Sequence, residues 1–116
     1  MRRGDIHIVD FEPARGSEVD KRRPAIIVSN DASNAIVTRL GRGLLTVVPL
    51  TTNIARLYKF QVLLPAARTG LDSDSKAQAE QVRSVGVERV GDRIGLVPYS
   101  LLDRVDEALR IHLDLG

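Results

Sequence analysis

Two short runs in this sequence carry residue types suited to phosphate chemistry. Arg22-Arg23-Pro24 stands just before an apolar run, and Val48-Pro49-Leu50-Thr51-Thr52 closes another. Each run marks one end of an expected strand. If the two strands are antiparallel neighbours, the start of one lies beside the end of the other, and Arg23 meets Thr51 at a rim of the sheet. A guanidinium and a hydroxyl converging there suit a phosphate group. They also suit phosphodiester cleavage by a ribose 2′-OH. The phosphorane transition state carries extra negative charge, which a fixed guanidinium stabilises where it develops, and a threonine hydroxyl can hydrogen-bond a phosphoryl oxygen. No metal is required when the 2′-OH is the nucleophile. Spacing alone is also satisfied by a solvated loop arginine and an ordinary strand-end threonine.

Other chemistries are struck out. The chain has no cysteine, which removes thiol catalysis, Cys-ligated zinc and disulfides, and fits a reducing compartment. Its two histidines, His7 and His112, are far apart and lack HExxH or zinc-ligand spacing. His112 reads as an edge-of-core residue on a helix and His7 as a strand residue. No GxSxG elbow and no P-loop occurs, and Gly41-Arg42-Gly43 is a turn.

The elements that must position Arg23 and Thr51 follow from periodicity. Asp5 to Phe11 alternates as a strand. Glu12 to Glu18 is a loop on its Pro, Gly and Ser content, continuing through the charged run Asp20-Lys21-Arg22-Arg23. Pro24 opens a second strand, Ala25 to Ser29. Asn30 to Arg42 is polar and reads as short turns or one helical turn. Leu44 to Leu50 is nearly all apolar and reads as a central strand. Tyr58 to Leu64 is a fourth strand, closed by Pro65, and Ala66 to Asp74 is a loop around Thr69-Gly70. Lys76 to Val85 fits strand or helix on its residues. Arg93 to Val97 is a last short strand. After Pro98, Leu101, Leu102, Val105, Ala108, Leu109, His112 and Leu113 recur at helical spacing. The sum is a small, mostly antiparallel β domain with a C-terminal helix across it, resembling a small barrel or half-open sheet.

Composition permits this. A chain of 116 residues suits one domain spanning 1–116. Aromatics are confined to Phe11, Tyr58, Phe60 and Tyr99, so Val, Leu, Ile and Ala must fill the core. The formal charge is only +2, but the bases are fourteen Arg against three Lys. Arg offers a permanent charge and a planar fork suited to phosphate. The basic excess lies before Gly43, which points to a local patch and not to a broad basic surface. No apolar segment follows Arg2-Arg3 as a signal peptide would require, and no stretch is long enough to span a membrane. The cytoplasm is the expected location.

The ordered motifs resemble the MazF/PemK toxin family. Arg3-Gly4-Asp5-Ile6 with Val9-Asp10-Phe11 looks like its opening strand. Pro13, Gly16-Ser17-Glu18 and Arg23-Pro24-Ala25-Ile26-Ile27-Val28-Ser29 look like its signature loop and second strand. Val47-Val48-Pro49-Leu50-Thr51-Thr52 looks like its third. Asp74-Ser75, Glu80-Gln81-Val82-Arg83-Ser84-Val85, Arg93-Ile94-Gly95 and Val105-Asp106-Glu107-Ala108-Leu109 follow in order. The resemblance favours a strand for Lys76 to Val85 and implies an SH3-like antiparallel barrel of the CcdB–PemK-like fold.

It further implies the toxin of a type II toxin–antitoxin system. Such a toxin is a sequence-selective endoribonuclease that cuts single-stranded RNA without cofactor or metal, leaving a 2′,3′-cyclic phosphate and a 5′-hydroxyl. The family's catalytic arginine and threonine map onto Arg23 and Thr51. Glu18, with an assisting role, and Ser17 match the loop near the RNA, while Ser75 and Gln81 match substrate-contacting positions. Arg23, always protonated, suits charge stabilisation better than proton transfer. Members often carry an aromatic near His7, which this chain lacks, so base stacking falls to Phe11, Tyr58 or arginines such as Arg56. Expected partners are a second copy, forming a homodimer, and an antitoxin of the MazE type. Two other readings share the fold. One is a gyrase-inhibiting toxin, disfavoured by a tail ending His112-Leu113-Asp114-Leu115-Gly116 without Trp. The other is a non-catalytic RNA- or protein-binding module.

Overall fold

The computed structural model describes residues 1–11 and 22–116. Much of the expected loop, with Ser17 and Glu18, lies outside the described residues. Among the described residues seven strands run in chain order: β1 (Asp5–Asp10), β2 (Arg22–Ile27), β3 (Leu44–Thr51), β4 (Gln61–Leu64), β5 (Ser75–Gln78), β6 (Arg83–Gly86) and β7 (Val90–Leu96). Three helices join them: α1 (Asp31–Leu40), α2 (Ala66–Thr69) and α3 (Tyr99–Leu113). Every pairing among them is antiparallel, in the order β4-β5-β3-β2-β1-β7, with β6 also on β3.

Alternation along the strands gives the sheet two buried faces. On the first, Ile6, Ile26, Val48, Leu50, Val62 and Leu64 pack against Leu101, Leu102, Val105 and Ala108 of α3. On the second, Val9, Phe11, Ala25, Ile27, Leu45 and Val47 pack with Val85 and Val87. This double burial is why β3 reads as almost continuously apolar. Arg3 joins the chain's start to α3 through an ion pair with Asp106 and a 2.9 Å bond from its Nε to the Val28 carbonyl.

Several expectations need correction. Arg22 and Arg23, expected in the loop, already belong to β2, which ends at Ile27 and not at Ser29. Asn30 to Arg42 is a ten-residue helix and not short turns. Its signals are its ends: the Asn30 side chain accepts from Ser33 N at 2.8 Å. Gly41, at φ 69°, closes it with a bond from its N–H to the Val37 carbonyl. Only Asn34 is fully buried along it, so no apolar stripe announced the helix. Tyr58 to Phe60 is a turn ahead of β4, and α2 occupies part of the expected Ala66 to Asp74 loop. The single strand expected over Lys76 to Val85 is two, β5 and β6, separated by a 3-10 turn at Ala79–Gln81. Both pair with β3, at Leu50–Thr51 and Leu44–Val47 respectively. The last strand begins at Val90. Finally, His112 and Leu113 are exposed and not at the edge of the core, because the apolar stripe of α3 ends at Leu109. No helix among the described residues is long and apolar enough to cross a membrane.

Asn34 closes a buried polar knot. Its Nδ2 donates to the Ser29 carbonyl at 2.8 Å, and its Oδ1 accepts from Ser29 Oγ at 2.6 Å. Asn34→Ala strands those partners and should cost about 1–3 kcal/mol in urea unfolding. Ile36→Ala, at a residue 48% exposed, should cost no more than about 0.5 kcal/mol. Equal effects would contradict this assignment.

Asp31 begins α1 and accepts from Arg3 N at 2.7 Å. That backbone bond, aided by Asn34 and the charges of Arg2 and Arg3, holds its carboxyl below the usual range. The stabilisation is therefore present above the unfolded-state pKa and is lost as pH falls through the lower folded value. Asp31→Asn should lower the melting temperature at neutral pH, with the gap to wild type closing under acid conditions. A gap independent of pH would refute the linkage.

Candidate active site

The strand ladders draw a rung across the second face of the sheet. Val9 on β1 pairs with Arg23 on β2. The β2–β3 register runs Ile27↔Val47, Ile26↔Val48 and Ala25↔Pro49, and continuing it sets Arg23 opposite Thr51. Thr51 pairs with Lys76 on β5, and Lys76 with Leu63 on β4. Directly opposed residues share a face. Arg23, Thr51 and Lys76 thus follow Val9 in one row, beyond the apolar pair Ala25 and Val47. Gln78, two residues from Lys76, takes the same face one rung inward.

Hydrogen bonds fix this row. Arg23 is half-buried, and its Nη2 donates to the Leu50 carbonyl at 3.0 Å and to Gln78 Oε1. Arg23 Nε and Nη1 have no partner among the described residues. The Thr51 Oγ1 accepts from Asn53 N at 3.2 Å, which leaves its own O–H free to donate. Lys76 is 7% exposed, yet its Nζ meets the carbonyl of Arg56 at 2.6 Å. Thr52 to Lys59 form an exposed loop leading out of Thr51. Gln61 holds its far end by accepting from Tyr58 N at 3.2 Å. Within it, Arg56 Nη1 donates to the Tyr58 hydroxyl at 2.9 Å. The Tyr58 ring stacks on Phe60 with centroids 5.3 Å apart.

The electrostatics of the row differ from those elsewhere. Arg3 pairs with Asp106, Arg93 with Asp5 and Arg110 with Glu107. Arg23 and Lys76 are held only by neutral carbonyl and amide oxygens among the described residues. Among the described residues, neither cation of the row is paired with a carboxylate. No group of three or more metal-ligating side chains occurs among the described residues.

Residues 2–113 match the family model described as PemK-like, MazF-like toxin of type II toxin–antitoxin system. The chain belongs to this family. It is 60% identical over 115 residues to "Endoribonuclease MazF9" of Mycobacterium tuberculosis, covering 99% of this chain and 98% of that one. It is 32% identical to "Endoribonuclease EndoA" of Bacillus subtilis, covering 99% and 96%. Among solved structures, a MazE–MazF crystal structure from Deinococcus radiodurans superposes with a TM-score of 0.79 at 28% identity, over 100% and 97% of the two chains. The antiparallel sheet and C-terminal helix expected from the sequence are the fold of these MazF toxins.

The MazF/PemK resemblance named further site residues, which the structure sorts. It brings Arg23 to the carbonyl preceding Thr51. Arg56 is exposed on the adjoining loop, and Gln81 is exposed on the 3-10 turn after β5. Phe11 is not available for base stacking: it continues the inward set of Val9, is 7% exposed, and lies under Arg83, whose Cζ is 5.3 Å from the ring centroid. Ser75 is likewise no surface contact. It pairs with the core residue Leu64, so it faces the first core, 4% exposed, and its hydroxyl donates to the Ser73 carbonyl at 3.2 Å. Lys76 and Gln78 were missed. The alternation of Lys76-Ala77-Gln78-Ala79 is the signal that puts them on one face, and only the pairing with Thr51 and Leu63 says which face that is.

Lys76→Met removes a buried ammonium but keeps an apolar stem of similar length. Thermal stability should hold or rise, because desolvating the charge is costly. Trypsin should cleave after Arg56 and Lys59 several times faster, because the loop loses its tether. Unchanged cleavage would show that Lys76 does not hold the loop.

Proposed function

We propose that this chain is a toxin endoribonuclease that cuts single-stranded RNA by the attack of its own 2′-OH, with Arg23 and Thr51 at the reacting phosphate. The observation that carries the assignment is the Arg23 guanidinium, anchored through one nitrogen beside Thr51 with two nitrogens left to face a ligand. The 2′-oxygen bonds to the adjacent phosphorus while its proton departs. The bond to the 5′-oxygen breaks, and that oxygen takes a proton. The products are a 2′,3′-cyclic phosphate and a 5′-hydroxyl. Arg23 stabilises the equatorial oxygens as they gain charge, and Thr51 donates to one of them. Neither role needs arginine to lose a proton. Glu18, outside the described residues, is assigned as the assisting group and Ser17 as an RNA contact. Arg56 and Gln81 extend the contact surface along the strand.

The relatives support the reading through their own names, as endoribonucleases and as partners of MazE. The corresponding partners here are single-stranded RNA, a cognate antitoxin of the MazE type and a second copy of the chain. The cytoplasm is the compartment where that RNA is met.

The test is cleavage of a single-stranded RNA in EDTA with the product ends mapped. Cyclic phosphate and 5′-hydroxyl ends are expected. Arg23→Ala should reduce kcat by about 100-fold or more, the scale of losing a fixed donor to a developing oxyanion, and Thr51→Ala by about tenfold or more. Full activity of both variants would overturn the assignment, and intact RNA with wild-type protein would overturn the function.

A further inference from the structure

We infer that Gln78 is a positioning residue for this reaction, orienting the Arg23 guanidinium without neutralising it. The inference rests on the role proposed for Arg23.

An arginine has five N–H donors, two of them on Nη2, and Nη2 belongs to both edges through which a guanidinium can grip an anion bidentately. In Arg23, one Nη2 donor goes to the Leu50 carbonyl and the other to Gln78 Oε1. Nη2 is thus spent on the protein. Nε and Nη1, without partners among the described residues, are left for phosphoryl oxygens as separate contacts. The Leu50 bond alone leaves the head free to turn about its stem. The second bond, from a different strand, fixes the guanidinium plane.

The identity of the acceptor matters. A guanidinium has no acceptor of its own, so Gln78 must present its amide oxygen. Its length reaches Arg23 diagonally, from the rung of Ala25 and Pro49 to that of Thr51. A carboxylate there would hold the head as well, yet would offset the charge that the transition state uses. Structural arginines of this chain do take carboxylates. An amide gives direction without cancelling the field.

Leucine at this site keeps the volume and removes the acceptor. Gln78→Leu should fold with a near-wild-type melting temperature, lower kcat by about tenfold, as loss of a supporting contact does, and leave KM for a short RNA within about twofold. The conservative Gln78→Glu keeps the bond and should lower kcat/KM several-fold at low salt, with the penalty shrinking as salt rises. The deciding measurement is a double-mutant cycle. Gln78→Leu should cost nothing further in an Arg23→Ala background, because its effect passes through that guanidinium.

A Gln78→Leu enzyme with lowered KM and raised kcat/KM would overturn the inference, showing that the amide occupies the phosphate's place. Equal loss in both backgrounds, or wild-type kinetics for Gln78→Leu or Gln78→Glu, would also overturn it. Full activity of Arg23→Ala would instead defeat the role given to Arg23.

Discussion

Strand β3 is hydrogen-bonded along both edges, by β2 on one and by β6 and then β5 on the other. With both edges committed, its register cannot slip by one residue without turning Val48 and Leu50 out of one core and Val47 out of the other. That lock gives Thr51 its place. The residue lies one step past Leu50 on the second face, at the point where that face stops being apolar. Arg23 is fixed by the same ladders from β2, and Lys76 and Gln78 by those from β5. Precision at the rim is therefore inherited from packing several residues away.

The same arrangement explains how two cations sit on either side of Thr51, one half-buried and the other buried. A charge removed from water must be hydrogen-bonded, though its partner need not be charged. Leu50, Gln78 and the Arg56 carbonyl supply oxygen dipoles. These offset part of the desolvation cost without neutralising the charges, as the phosphate role proposed for Arg23 requires. Carboxylates would bind the cations more firmly and weaken the site. They occur instead at Arg3 and Arg93, where the pairing ties the sheet, the helix and the chain's start together, and at Arg110 within the exposed face of α3.

Much of this was legible in the sequence, for different physical reasons in different places. The runs of β2 and β3 and the stripe of α3 reported burial directly, and the motif boundaries put Arg23 and Thr51 at adjacent strand ends. Helix α1 was not legible from its faces, since it buries little besides Asn34; its caps, Asn30 and Gly41, were the readable signs. The division of β5 from β6 was hidden because periodicity cannot say which strand a segment pairs with, and here both halves pair with β3. Phe11 and Ser75 failed as contacts for a related reason: a polar or aromatic residue near a motif says nothing about which face it takes until the register is known. Lys76 and Gln78 became visible only through that register.

The division of labour within the site follows from how its parts are held. The row of Arg23, Thr51 and Lys76 belongs to strands paired to neighbours and backed by two cores. Its local opening therefore requires disrupting the sheet. The loop that follows carries Arg56 and Tyr58, and its tethers are few: turn bonds at Asn53 and Ala55, the Lys76 ammonium, and the Gln61 side chain. Few buried contacts and exposed backbone place it at the low-stability end of the molecule. Transition-state stabilisation demands donors that do not reorganise when charge develops, and the strand positions of Arg23 and Thr51 suit the role proposed for them. Reading single-stranded RNA demands groups that can adapt to splayed bases, which suits the loop to the contact role proposed for Arg56. Lys76 touches both, since its strand position opposes Thr51 while its ammonium holds the loop, so the rigid row and the loosely held loop share a side chain without sharing a rigidity.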